Sequence, residues 1–267
     1  MSAVLLLHGL PLYIFSALLG LVVGSFANVC AYRMPRKKSV VSPPSSCPRC
    51  GNRIKAYDNI PVVSYLLLLG KCRNCGERIS PIYPLVELAN ALLYVGAAWK
   101  YGATPSLLFY FVFLTALLVI TLIDFEFQEI PDELTLPGTA LGIIAGWLLL
   151  PDPFLRAHSL GIKASLTGAA AGFSIYYLIA MASKGGMGGG DIKMMAMVGA
   201  VTGWKGVLLT TFTGSLVGSV AGLYIVVFKG GGRKTKIPFG PFLALGALIC
   251  ILFGQEIAGW YLHRGNI

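Results

Sequence analysis

Charge is scarce in this chain. Of 267 residues only 12% are Asp, Glu, Lys or Arg, against roughly 25% in a soluble domain. There are 11 acids and three histidines, which excludes an ordinary enzyme with a solvated polar surface. The every-second-residue alternation of β-barrel spans is also missing. No Lys or Arg precedes Arg33, so the N-terminus lacks the charged start of a secretory signal. No GxGxxG follows a predicted strand, and the glycines of GGMGGGD (185–191) are not followed by Lys-Ser or Lys-Thr. A dinucleotide fold and a phosphate loop are thereby excluded. His8, His158 and His263 are predicted on the outer side or near a terminus, so a Ser-His-Asp or His-metal hydrolase is excluded too.

Hydrocarbon fills the space that charge leaves. The chain is 56% hydrophobic, with a mean hydropathy of +0.75. Apolar runs near 20 residues recur, the length that crosses about 30 Å of bilayer core. The reading is an all-α polytopic membrane protein of about eight transmembrane helices with a small zinc-binding cytoplasmic insertion. Spans are predicted at 10–31, 84–100, 105–123, 134–150, 161–182, 192–203, 206–228 and 238–260. Segment 192–203 is only about 18 Å long as a helix, and it reads as a half-helix packed among the others. The 33 glycines fit helices that approach closely in lipid. Three regions are expected: a first helix (1–32), a cytoplasmic cysteine-bearing loop (33–83) and a transmembrane catalytic domain (84–267).

The positive charge sets the orientation. Ten of the 21 Lys and Arg lie between Arg33 and Arg78, and four more lie in KGGGRKTK, 229–236. Cytoplasmic loops carry such excess. With the N-terminus outside, the inner loops are 33–83, 124–133, 183–191 and 229–237, and both basic loops fall on one side. No base-reading or aromatic partners accompany the charge, so no nucleic-acid partner is expected.

Cys47-Pro-Arg-Cys50-Gly and Cys72-Arg-Asn-Cys75-Gly are paired motifs. Four thiolates so spaced close a tetrahedron around zinc with no open position, a structural site. A reducing cytoplasmic loop disfavours disulfides between them. The apolar stretch PVVSYLLLL between them is nine residues, too short to span; it is expected to form the insertion's small core. Cys30 and Cys250 fall in spans and read as packing residues.

Asp124 and Asp191 are 67 residues apart, yet the topology puts both at the inner membrane edge. Carboxylates there are expensive and are functional candidates. Two that meet can share one proton, the ionised one activating water while the neutral one donates to a carbonyl oxygen. Asp191 at a helix start is expected to hold the negative charge, and Asp124 at a helix end the shared proton. The plain alternatives are an N-cap for Asp191 and a solvated helix end for Asp124. Gly188, Gly189 and Gly190 offer side-chain-free backbone where an extended peptide can dock. The loop 124–133 holds five acids and no base, among them Glu126 and Glu129, and suits a cationic substrate segment. Asp132 is expected to be the N-cap of the next helix.

With these residues in view, the sequence resembles the type IV prepilin peptidases, bifunctional leader peptidases and N-methyltransferases of the GxGD aspartic membrane proteases. The resemblance rests on GSFANVCAYRMP (24–35), the paired CxxC loop, ISPIYPLVELANALL (79–93), LIDFEFQEIPDELTLP (122–137), GMGGGDIKMMAMVGA (186–200) and IPFGPFLALGAL (237–248). It implies that Asp124 and Asp191 are catalytic and that Cys47, Cys50, Cys72 and Cys75 bind zinc. Implied substrates are precursors of type IV pilins and of type II secretion pseudopilins, cleaved after the Gly of a short basic leader at the cytoplasmic face of the inner membrane. The implied second step is methylation of the new N-terminal amine from S-adenosylmethionine, with Gly70 and Glu87 as neighbours of the methyl donor. The rival readings are a GxGD intramembrane protease with other substrates and no methyltransferase activity, and a proton-coupled transporter using the two aspartates as a relay.

Overall fold

The computed structural model describes residues 9–155, 158–183, 186–228 and 238–264. His8, Gly185, KGGGRKTK and the His263 side chain lie outside the described residues. Among the described residues the fold is helical, with isolated bridges in place of strands. Its principal helices are α1 (Leu10–Arg33), α2 (Val63–Leu67), α3 (Ile82–Tyr101), α4 (Pro105–Phe127), α5 (Asp132–Leu148), α6 (Gly161–Ala182), α7 (Gly189–Phe228) and α8 (Gly240–Arg264). Six of these are long and apolar enough to cross a membrane. The separate spans expected at 192–203 and 206–228 are two limbs of α7, which breaks at Gly203 (φ 71°, ψ 175°). Helix α5, at 17 residues, is about 26 Å long.

The chain forms two compact units, Met1–Val119 and Ile120–Ile267, and α4 runs from one into the other. In the first, α1 packs on α3 at its glycines: a Cβ on Gly20 or Gly24 would stand 2.6 Å from Ala91 Cα or 2.8 Å from Glu87 Cα. Such contact uses dispersion, because lipid offers no hydrophobic drive between helices. Buried Asn90 donates to the Gly20 carbonyl (2.9 Å) and accepts from the Thr115 hydroxyl (3.0 Å). The opposite face of α1 (Phe15, Leu18, Val22, Phe26) is exposed and apolar, a lipid-facing stripe.

In the second unit the first limb of α7 is the core. Met194, Met195, Met197, Val198, Ala200 and Val201 are fully buried. Helix α6 meets this limb backbone to backbone, since a Cβ on Gly168 or Gly199 would overlap the carbonyl of the other. The half-helix expected from sequence is therefore the buried centre of this unit, and the two catalytic candidates lie at its cavity.

Candidate active site

Asp124 lies in the last turn of α4. The helix ends at Phe127, where Gln128 takes a positive φ of 54° and donates its N–H to the Asp124 carbonyl (3.0 Å). Asp191 lies in the first turn of α7, its N–H bonded to the Gly188 carbonyl at 3.2 Å. Both side chains are buried, at 5% and 8% exposure. Both line one cavity of about 460 Å³ together with Gln128, Glu129, Ile130, Asp132, Glu133, the glycines 188–190 and Lys193. The two aspartates that the sequence paired, 67 residues apart, line the same cavity.

The glycine run divides by role. Gly188 and Gly189 are exposed on the cavity wall with room for an approaching chain. Gly190 is needed for packing, because a Cβ there would sit 2.7 Å from the Ile130 Cβ. Of the acidic loop, Glu129 lines the cavity and Glu126 does not. Asp132 corrects the capping expectation. Pro131 precedes the helix as its cap residue, no side-chain cap bond forms, and the Asp132 carboxylate receives the Lys193 ammonium at 2.6 and 2.7 Å. A half-exposed pair of this kind contributes at most about 1 kcal/mol. Lys193 is the cation on this acidic wall, two residues beyond Asp191.

Sequence reasoning gave no role to Gly240. It opens α8, and its N–H donates to Asp124 Oδ2 at 2.9 Å. Asp124 thus sits at the C-terminal end of one helix and the N-terminal end of another, so the field of α4 alone does not describe it. The only sequence signal was the motif IPFGPFLALGAL, which carries a glycine followed by a proline.

In the other unit the two CxxC motifs fold into matching knuckles. The Cys47 N–H bonds the Asn52 carbonyl and the Gly51 N–H bonds the Cys47 carbonyl. Cys72 pairs with Glu77, and Gly76 with Cys72, in the same way. Gly51 and Gly76 both take φ of 71°, the turn that admits glycine best. All four sulfurs lie within 4.8 Å of one another, and Cys47 Sγ is 3.9 Å from Cys75 Sγ. Tetrahedral zinc with bonds near 2.3 Å sets neighbouring sulfurs about 3.8 Å apart, so the cluster fits a metal ion. The N–H groups of Cys50 and Arg49 draw the Cys47 thiol down to about 7. The Glu77 N–H also favours a Cys75 thiolate, but desolvation and the three neighbouring sulfurs outweigh it and push Cys75 up to about 12. Arg73, inside the second motif, forks onto Asp58 at 2.6–2.9 Å and holds its carboxyl below the usual carboxylate range.

Gly70 and Glu87 stand at the two ends of α2. Buried Glu87 accepts the N–H of Val62, the residue before α2, through Oε2 at 2.7 Å. It lies beyond the first turn of α3, too far from the helix start to be held there by the helix dipole. Gly70 follows α2 with φ of 67°, and a Cβ there would meet the Tyr65 ring tip at 3.0 Å.

Comparison with known proteins covers both units. Residues 18–101 match the Bacterial Peptidase A24 N-terminal domain, and residues 111–223 match the Type IV leader peptidase family. A Pseudomonas aeruginosa protein named prepilin leader peptidase/N-methyltransferase is 37% identical, over 96% of this chain and 95% of its own. Proteins of the same name are 36% identical in Pseudomonas putida (91% of each chain) and 34% identical in Bacillus subtilis (91% of this chain, 95% of that one). No solved structure matches the chain.

Proposed function

The chain belongs to the type IV leader peptidase family, and from that membership we propose that it cleaves prepilins and methylates the freed N-terminus in a bacterial inner membrane. The observation that carries the reading is a single cavity lined by two buried carboxylates and an open glycine backbone. A substrate strand lies along the open backbone of Gly188 and Gly189, with the leader's terminal Gly at the scissile bond. Asp191, in the first turn of α7, acts as the base. It takes a proton from a water, the hydroxyl oxygen attacks the scissile carbonyl carbon, and Asp124 gives its proton to the carbonyl oxygen. Collapse of the tetrahedral intermediate returns the hydroxyl proton to Asp124, and the departing amine takes the proton that Asp191 had accepted from water. The basic leader meets Glu129, Asp132 and Glu133, with Glu126 at the outer edge of the same acidic stretch.

The four cysteines hold zinc, which ties the two knuckles and gives the insertion a rigid core. S-adenosylmethionine supplies an electrophilic methyl group to the new amine. Glu87 and Gly70 already contact the protein's own atoms at the ends of α2, so their part is to shape the donor's site. The excess of Lys and Arg in loop 33–83 sets this insertion on the cytoplasmic side.

Mass spectrometry of a co-expressed prepilin tests both reactions together. Wild type is expected to remove the leader and add 14 Da, the mass of one CH₂. Asp124→Asn and Asp191→Asn are each expected to leave the precursor intact and unmethylated. Processed product from either variant would end the hydrolytic reading.

A further inference from the structure

We propose that the main-chain N–H of Gly240 is the positioning group of Asp124: it reserves Oδ2 and leaves Oδ1 as the oxygen that faces the reaction. The inference rests on the reading of Asp124 as one of the hydrolytic pair. Within the first turn of α8 this amide is the one directed out of the helix. Pro241 has no N–H, and the amides of Phe242 and Leu243 both bond the Phe239 carbonyl, at 3.1 and 3.2 Å. The Gly240 amide instead reaches Asp124 Oδ2 at 2.9 Å in a buried bond that links positions 116 residues apart.

The same contact requires glycine. A Cβ at 240 would stand 2.8 Å from Asp124 Oδ2, 3.3 Å from its Cγ and 3.2 Å from Ile130 Cδ1. Any side chain would push the carboxyl out of its place and break the bond. The division of oxygens follows from the chemistry of the group. An oxygen that accepts an N–H is the carbonyl-like one in the acid and an acceptor in the carboxylate. Through both protonation states Oδ2 keeps the amide, so the transferred proton resides on Oδ1. Fixing the carboxyl plane in this way aims Oδ1 without reorganisation during the reaction.

Steady-state cleavage of a synthetic prepilin by the purified full-length enzyme in detergent tests this. Gly240→Ala is expected to lower kcat on the order of 100-fold, the effect of a displacement near 1 Å, with KM within about threefold. Its pH–rate profile is expected to shift, which a packing defect alone would not do. Ile130→Val added to Gly240→Ala relieves only the Ile130 contact and is expected not to restore the rate. Unchanged kcat and pH profile in Gly240→Ala, or rescue by Ile130→Val, overturns the proposal. If Asp124→Asn still cleaves, the hydrolytic reading itself fails. If Asp124→Asn is dead and Gly240→Ala is normal, only the positioning role falls.

Should Gly240→Ala not fold, as read by thermal unfolding, the amide can be observed directly. Carbonyl-labelled Phe with ¹⁵N-labelled Gly selects two pairs in this sequence, Phe239–Gly240 and Phe253–Gly254, and Gly254→Ala tells them apart. The Gly240 amide proton is expected downfield in the wild type and upfield in Asp124→Ala. An unmoved resonance overturns the proposal.

Discussion

Glu87 shows how much a residue's hydrogen bonds narrow its role. Its carboxylate is buried and receives the Val62 N–H at the start of α2, so the side chain joins the cysteine insertion to α3. A carboxylate that only accepts hydrogen bonds, here from the Val62 N–H and the Ser25 side chain, can be replaced by an isosteric amide oxygen. Glu87→Gln is therefore expected to keep most methylation, and Glu87→Ala to strand a buried donor at about 1–3 kcal/mol and lose it. Methylation of a pre-cleaved pilin peptide by the two variants checks this; equal loss in both would point to a charge contact with the methyl donor. The four cysteines were legible because their spacing is local, and the two aspartates because charge is so rare here. Neither Val62 against Glu87 nor Gly240 against Asp124 was legible. Each partner of these side chains is a main-chain N–H, which every residue but proline carries, and chain folding alone decides which one arrives.

Helices carry the same lesson with a different remainder. All eight apolar runs form helix because each is long and poor in charge, and the break expected between 203 and 206 falls at Gly203. Sequence placed the start of α5 two residues late, at 134 rather than 132, because a capping role was given to Asp132. That carboxylate is engaged by Lys193 from another helix. The fit of α6 to α7 was not legible from 33 glycines spread along the chain. Only the structure singles out Gly168 and Gly199 as the pair whose backbones touch. Gly168→Val is expected to destabilise by more than about 2 kcal/mol through overpacking and to displace Asp191 with its helix, lowering cleavage. Gly259→Ala, where a Cβ meets nothing within 4 Å, is expected to stay within about 0.5 kcal/mol. Thermal unfolding in detergent, with cleavage measured on the same samples, separates the two.

At the scale of the molecule, the cysteine cluster and the aspartate cavity belong to different units. The cysteine knuckles and the Glu87 link lie within Met1–Val119, and the aspartate cavity lies within Ile120–Ile267. A four-thiolate site contributes folding free energy, since its ligands close only in the folded insertion. Loss of the metal should therefore act first on the insertion. Cys72→Ser, or chelation of the wild-type enzyme, is expected to reduce methylation at least tenfold while more than half of the leader cleavage remains. Both are read from one mass spectrum of the same prepilin, so unequal expression cannot produce the split. Metal content measured by atomic emission should fall in step with methylation. If cleavage falls with it in equal proportion, the insertion also serves the aspartate cavity, and the assignment of one reaction to each unit is wrong.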